Sequence, residues 1–246
     1  MMRVTRWSLL IGTLFMVASC VLIPVGTTGT RGPRELAWPD SQWTTLQGVD
    51  IHYRVWGAPG YGTVPEPVAG PGKTSERQLI VLLHGFGAST YSWREVAPLL
   101  AEYGTVVAYD RPAFGLSGRP TRWKGPNPYS METQVAILSD LLDNFGAKSA
   151  VLIGNSAGGT VAMETALAMP ERVRALVLVS PAVYVGGGAP GWVRPLLFLP
   201  GINHIGPLVA RRLATDGDGF LRSAWYDETR VTPEILKGYR APLSVS

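Results

Sequence analysis

The stretch that decides the fold reads Ala150-Val151-Leu152-Ile153-Gly154-Asn155-Ser156-Ala157-Gly158-Gly159. A short apolar run leads into a glycine-rich turn, and residues 157–169 continue with the pattern of a helix. The sequence therefore predicts a buried strand, a sharp turn and a helix, with Ser156 at the tip of the turn. Gly154 and Gly158 are needed there because a Cβ would collide with the neighbouring strand and helix.

Apolar strands alternate with helices on both sides of this turn. The predicted buried strands are 79–83, 105–109, 150–153 and 173–179, and the predicted helices are 92–103, 130–145 and 157–169. Continuous apolar strands separated by helices predict an α/β fold with a mostly parallel sheet covered on both faces. Ahead of them, residues 43–46 and 51–56 alternate between apolar and polar, which predicts two strands joined by a tight turn.

Three turns follow predicted strands, and binding sites of open α/β sheets form at such carboxyl ends. The turn with Ser156 is one, and His84-Gly85-Phe86-Gly87 follows the strand 79–83. The third turn begins with Asp110, and taken alone this residue is as consistent with a structural role as with a functional one. His52, inside the second hairpin strand, is interpreted as a hydrogen-bonded sheet or surface histidine.

The turn with Ser156 predicts nucleophilic chemistry. Such an elbow lifts the serine hydroxyl above the sheet, and the helix behind it aims its N-terminal amides at the reacting centre. Acyl transfer also needs two N–H donors for the developing oxyanion. The natural pair is the backbone N–H of Phe86 and that of Ala157, in which case His84 and Gly85 support the loop and His84 is not the base.

Together the three turns, in this order and spacing, resemble the α/β-hydrolase superfamily, in particular its single-domain branch of esterases, C–C bond hydrolases and perhydrolases. The resemblance covers residues 41–182 and implies the α/β-hydrolase fold with a helical cap. It also implies that Ser156 is the nucleophile and that Phe86 and Ala157 form the oxyanion hole. Asp110 then closes a loop at the pocket rim. A serine at the elbow argues against the epoxide-hydrolase and haloalkane-dehalogenase branches, whose intermediate is an alkyl ester of a carboxylate.

The catalytic base and acid of such a family are expected after the serine, in the order Ser, Asp or Glu, then His. Only His204 follows Ser156, and it lies in the segment 186–243, which resembles an apolar cap. That position favours a cap histidine over the base. Residues 180–200 contain no acidic residue. We therefore expect the acid, the base and the last strands to lie beyond residue 246, which would leave strand 173–179 as an exposed sheet edge.

The N-terminus predicts attachment to a membrane. Residues 7–26 carry no charge and follow Arg3 and Arg6, a pattern typical of an anchor helix with the remainder of the chain on the extracytoplasmic side. Alternatively, the segment is a secretory signal. Residues 17–20 resemble a lipoprotein processing box that would lipidate Cys20. The expected organisation is then an anchor or signal (1–26), a linker (27–40), a hydrolase core (41–185) and a cap (186–246).

Composition and charge exclude several classes of function. The formal net charge is +4 and the basic residues are scattered, so no nucleic-acid surface is expected. A single cysteine excludes an intramolecular disulfide and a cysteine-cluster metal site, and neither a metal nor a cofactor is expected. The leading hypothesis is a membrane-anchored or exported serine hydrolase acting on an ester or related acyl bond of an apolar substrate. The alternative is a non-catalytic hydrolase-fold binding protein.

Overall fold

The computed structural model describes residues 31–57, 78–183 and 218–245. Residues 31–183 belong to one compact unit and residues 218–244 to another, and each is considered by itself. The predicted anchor or signal, Cys20, His204 and most of the predicted cap lie outside the described residues. Within those residues, no helix is both long and apolar enough to span a bilayer.

A six-stranded sheet forms the larger unit. Its strands are β1 (Gln42–Leu46), β2 (Val49–Trp56), β3 (Leu79–Leu83), β4 (Thr105–Tyr109), β5 (Ala150–Asn155) and β6 (Val173–Val179). They lie in the order β1-β2-β4-β3-β5-β6. The four strands β4, β3, β5 and β6 run parallel, while β2 is antiparallel to both β1 and β4. The predicted mostly parallel α/β sheet is thus confirmed.

The hairpin β1–β2 turns through Gln47 and Gly48, both with positive φ angles of 49° and 74°. Two consecutive positive φ angles are typical of the two-residue turn whose twist matches the twist of paired strands. Leu46 and Val49 are the last paired residues before the turn. The predicted pair of strands with a tight turn is confirmed.

Helices cover the sheet because its central strands are apolar on both faces. All residues of β3 and β4 are buried. On one face, they pack against α2 (Met131–Asn144) and α3 (Ala157–Ala168), and on the other against Trp93 and Ala97. The side-chain oxygen of Ser130 accepts from the Thr133 N–H to begin α2, as N-cap residues do.

The predicted helix 92–103 is wrong. The structure has a 3-10 turn at Thr90–Trp93 and a single α turn, α1, at Ala97–Leu100. The 3-10 turn begins early because the Ser89 side chain accepts from the Tyr91 N–H. Pro98 has no N–H and is tolerated only in a first helical turn, so the chain restarts its helix at that point.

Strand β6 lies at the edge of the described sheet, with β5 as its neighbour. Its residues 176–179 are apolar yet between 37% and 46% exposed. The sequence-based expectation that strand 173–179 forms an exposed edge agrees with this arrangement for the part of the chain that the structure describes. A long apolar edge offers unpaired N–H and C=O groups to other chains.

Residues 218–244 contain two helices, α4 (Asp218–Ser223) and α5 (Pro233–Arg240). The Thr232 side chain accepts from the Ile235 N–H and begins α5. An ion pair of 2.5 Å joins Arg240 to Asp218, which links the two helices. Both helices lie within the segment that the sequence predicts to be the cap.

Candidate functional site

Ser156 lies at the sharp turn between β5 and α3, with φ 50° and ψ −119°. A side chain other than glycine rarely adopts such a backbone conformation, which costs about 1–3 kcal/mol. The turn is held by backbone hydrogen bonds: the Ser156 N–H donates to the Val179 carbonyl at 3.0 Å, and the Ser156 carbonyl accepts from Gly159 at 2.9 Å. One of the strained residues of the described chain is therefore the serine that the sequence predicts to be the nucleophile.

The glycines of the elbow allow three backbone segments to meet. A Cβ on Gly154 would lie 2.6 Å from the Gly159 nitrogen, and one on Gly158 would lie 2.2 Å from the Leu83 carbonyl oxygen. Real Cβ atoms do not approach backbone so closely. Both glycines are thus required by the packing of β5, α3 and β3 against one another.

The loop after β3 runs directly beside Ser156. A Cβ on Gly85 would lie 3.3 Å from the Ser156 Cβ and 2.9 Å from the Asn155 Oδ1 atom. Phe86 follows Gly85, and Ala157 is the first residue of α3, where N–H groups have no intrahelical acceptor. The fold therefore brings the loop of Phe86 to the helix N-terminus that carries Ser156.

His84 fixes this loop from inside the protein. Its Nε2 atom accepts from the Arg111 backbone N–H at 3.0 Å, so the ring proton sits on Nδ1, which donates to the Gly85 carbonyl at 2.7 Å. Burial, assisted by the charge of Arg111, lowers the His84 pKa to about 4. His84 is neutral at pH 7, and both of its ring nitrogens are occupied by loop contacts.

Asp110 is fully buried at the end of β4 and accepts three short hydrogen bonds. His52 Nδ1 and the Leu116 N–H contact Oδ2 at 2.7 and 2.8 Å, and the Thr90 N–H contacts Oδ1 at 2.6 Å. Burial acts to raise the Asp110 pKa, but the hydrogen bond from His52, the electrostatic attraction of the neighbouring histidines and the hydrogen bond from the Leu116 N–H together lower the pKa. The carboxylate is therefore an anchor for three segments of chain.

His52 is more deeply placed than a surface histidine. Its side chain is 0% exposed, and its second nitrogen, Nε2, bonds to Ser41 Oγ at 2.8 Å. Of the two alternatives left by the sequence, the hydrogen-bonded sheet histidine is the one observed. The sequence did not predict the hydrogen bond between His52 and Asp110. The antiparallel register that pairs Tyr53 with Tyr109 extends to this pair, but the sequence showed no reason to place β2 beside β4.

Two aromatic side chains flank the loop beside Ser156. Phe86 is 83% exposed and meets Phe114 edge to face, with ring centroids 5.5 Å apart. Phe114 in turn contacts the His84 ring at 5.5 Å, and the Arg111 guanidinium lies 4.9 Å above its face. Phe114 and Arg111 were not singled out from the sequence, since neither residue type marks a site without its neighbours.

Two other predicted site residues, His204 and Cys20, lie outside the described residues. Within the ranges 31–57, 78–183 and 218–245, no group of His, Cys, Asp and Glu side chains is arranged to hold a metal ion.

Comparison with known proteins extends these observations. Three matches are representative. YugF of Bacillus subtilis (strain 168), described as an uncharacterized hydrolase, is 27% identical over 199 residues, which cover 80% of this chain and 64% of YugF. Epoxide hydrolase B of Mycobacterium tuberculosis (strain ATCC 25618 / H37Rv) is 34% identical over 131 residues, 53% of this chain and 36% of that protein. The crystal structure of wild-type Cfl2 from Burkholderia cenocepacia is 26% identical and has a TM-score of 0.60 over 81% of this chain and 64% of Cfl2.

The chain spans less than two thirds of the length of each of these proteins. A family model described as the alpha/beta hydrolase fold matches residues 78–221, more than half of the 246 residues. The match includes the elbow at Ser156, the loop at His84 and the turn at Asp110. This chain belongs to the alpha/beta hydrolase fold family.

Proposed function

We propose that the protein is a serine hydrolase that cleaves an ester or related acyl bond through an acyl-enzyme on Ser156. The observation that carries the proposal is the strained backbone of Ser156, φ 50°, at the N-terminus of α3 and against the loop of Gly85. A fold retains strain of this kind where the surrounding structure enforces it, and such strain clusters at active sites.

The proposed reaction begins when Ser156 Oγ attacks the acyl carbon. The oxyanion that forms accepts from the backbone N–H groups of Phe86 and Ala157, and each such donor contributes about 10²–10³ in rate. The partial positive charge at the N-terminus of α3 adds to this stabilisation. Collapse of the intermediate expels the leaving group and leaves an ester on Ser156, which water then hydrolyses.

The serine proton has to pass to a general base. His52 and His84 do not suit this role, because both ring nitrogens of each are bonded within buried networks. We place the base and its acid outside the described residues. His204 is one candidate in this chain, although its cap-like segment favours a structural role for it.

Ser156 also argues against epoxide hydrolysis in this chain. That activity is given by the name of one relative, for that relative. Opening an epoxide through an alkyl-ester intermediate needs a carboxylate nucleophile. The elbow residue here is Ser156, flanked by Asn155 and Ala157, none of which has a carboxyl group. Acyl transfer therefore fits this elbow better.

The substrate that fits best is an apolar or aromatic acyl compound. Phe86 exposes 83% of its surface beside the loop that reaches Ser156, and Phe114 supports its ring from the side. An exposed aromatic ring beside the loop that reaches the nucleophile offers an apolar surface to the acyl or leaving group. We also propose that residues 1–26 attach the protein to a membrane, with the hydrolase domain on the extracytoplasmic side.

Two serine variants test the proposal. Ser180 provides a matched control, because it follows the neighbouring strand β6 and also has a positive φ, 45°. In protein that includes the expected acid and base, Ser156→Ala should abolish fluorophosphonate labelling and lower the hydrolysis of aryl esters by at least about 10³-fold. Ser180→Ala should leave both near the wild-type level. Labelling that survives Ser156→Ala would refute the assignment of the nucleophile.

The second candidate is a binding protein with the hydrolase fold but without catalysis. It is favoured by one observation, the complete engagement of both described histidines in structural hydrogen bonds. The two candidates differ in their response to a fluorophosphonate and to a boronic acid. A hydrolase reacts with both at Ser156, whereas a binding protein leaves the serine unmodified and still binds an apolar ester without turnover.

A further inference from the structure

An exposed basic and aromatic loop lies on the larger unit, in a part of the chain that the proposed hydrolysis does not use. Residues 121–127 are all exposed, and Trp123 stands between Arg122 and Lys124 at their centre. Between Asp110 and Glu132 the sequence contains no acidic residue. We refer to residues 119–129 as the Trp123 loop.

The Trp123 loop has a defined shape. The Tyr129 hydroxyl donates to the Pro120 carbonyl at 2.6 Å, which closes the neck of the loop. The Tyr129 N–H donates to Asn127 Oδ1 at 3.0 Å. At the tip, the Trp123 ring meets the Tyr129 ring edge to face at 5.7 Å and remains 46% exposed. The Trp123 indole is therefore held partly exposed, with Arg122 and Lys124 on either side of it in sequence.

A cavity of about 150 Å³ opens beneath the Trp123 loop. Its lining mixes charged, aromatic and hydroxyl-bearing side chains, among them Arg122, Trp123, Lys124 and Thr133. The charged residues of the lining, Arg122 and Lys124, are both basic. The carboxylate that contacts the lining is Asp140, whose Oδ2 accepts from Gln47 Nε2 at 2.7 Å.

We propose that the Trp123 loop is a docking surface for an anionic phospholipid bilayer, with a lipid phosphate held between Arg122 and Lys124 and the Trp123 indole at the headgroup level. Tryptophan and tyrosine favour the membrane–water interface, where the ring is apolar and its polar edge stays hydrated. Basic side chains near an anionic surface add electrostatic attraction. This inference does not depend on the proposed hydrolysis.

Such a surface would give the protein a second point of attachment to the membrane, in addition to the attachment proposed for residues 1–26. A protein held to a membrane by its terminus can still rotate its globular part, whereas a basic patch adds an independent contact. The Trp123 loop belongs to the compact unit that also contains Ser156. A docked loop would therefore hold that unit at the bilayer surface.

The test compares vesicles of phosphatidylcholine with vesicles containing 30 mol% phosphatidylglycerol, and uses the full chain. The N-terminal segment is the same in every variant, so its contribution cancels in ratios between variants. One variant, Arg122→Gln/Lys124→Gln, removes both cations of the loop. Its matched control, Lys148→Gln/Arg174→Gln, removes two exposed charges elsewhere on the same unit.

The quantity measured is the preference for anionic vesicles, taken as the ratio of the two partition coefficients. Each basic residue near an anionic surface is worth about a fivefold change in partitioning, so the loop variant, which loses two of them, should lose about 25-fold. The control should stay within about twofold of the wild type. Trp123→Ala should weaken binding to both kinds of vesicle.

Chemical protection gives a second readout that does not require a variant. Acetylation of Lys124 by a water-soluble reagent should slow on anionic vesicles relative to acetylation of the exposed Lys148 in the same sample. Equal rates for the two lysines would overturn the proposal, as would equal losses of anionic preference in the loop variant and its control.

Discussion

Acidification should destabilise this protein well before its carboxylates titrate, and His84 is the reason. In the folded protein, burial lowers the His84 pKa from 6.5 to about 4. In the unfolded chain, the same imidazole titrates near 6.5. Between pH 6.5 and 4, the unfolded state therefore binds a proton that the folded state does not, and stability falls as the pH falls through this window.

The magnitude follows from the two pKa values. Each pKa unit corresponds to 1.36 kcal/mol, so protonation of His84 in the unfolded state removes about 3 kcal/mol of unfolding free energy between pH 7 and 4. Asp110 does not add to this window. Its pKa is lowered in the folded protein, so its contribution is present above the unfolded value of about 4 and is lost only at lower pH.

Urea unfolding of the full chain, followed by far-ultraviolet circular dichroism at pH 7, 6, 5 and 4, measures the effect. His84→Gln removes the titrating group and keeps an acceptor for the Arg111 N–H. The variant should be less stable than the wild type at pH 7, and its free energy of unfolding should fall by about 3 kcal/mol less between pH 7 and 4. Parallel pH profiles for the two proteins would refute the conclusion that His84 is buried in its neutral form.

Two further substitutions test the packing around the candidate site by urea unfolding at pH 7. Asp110→Asn should lower the free energy of unfolding by about 3–5 kcal/mol, because an amide cannot accept all the hydrogen bonds of the buried carboxylate. Asp50→Asn, at an exposed carboxylate, should change it by less than about 0.5 kcal/mol. Gly158→Ala should lower it by about 1–3 kcal/mol or more, since the new Cβ would lie 2.2 Å from the Leu83 carbonyl oxygen. Gly219→Ala, with no atom within 4 Å of its Cβ, should not destabilise the protein.

The strands could be predicted because their signal is local. Each of the four parallel strands is an apolar run bounded by turn residues, and 173–179 was predicted with the bounds of β6. The prediction of a helix at 92–103 was wrong for an equally physical reason. Its apolar spacing is helical, but the capping of the earlier turn by Ser89 and the missing N–H of Pro98 divide it into two short turns.

The candidate site could be predicted only where one segment carries the information. Ser156, Gly154 and Gly158 form a contiguous motif whose geometry follows from strand, turn and helix. The pairing of His52 with Asp110 depends instead on two strands that are 58 residues apart in sequence. No local pattern reports that register, so the role of Asp110 could not be separated from that of an ordinary turn residue.

The turn after β4 is more important for the candidate site than its sequence indicates. Asp110 and Arg111 are consecutive, and each binds a different buried histidine: the Asp110 carboxylate holds His52 in β2, and the Arg111 N–H holds His84 beside Gly85. The loop next to Ser156 is therefore fixed through the same dipeptide that anchors the antiparallel strands. A change at Asp110 should consequently alter the surroundings of Ser156 as well as stability. In protein that includes the expected acid and base, folded Asp110→Asn should then label more slowly with a fluorophosphonate than the wild type, while Asp50→Asn labels at the wild-type rate.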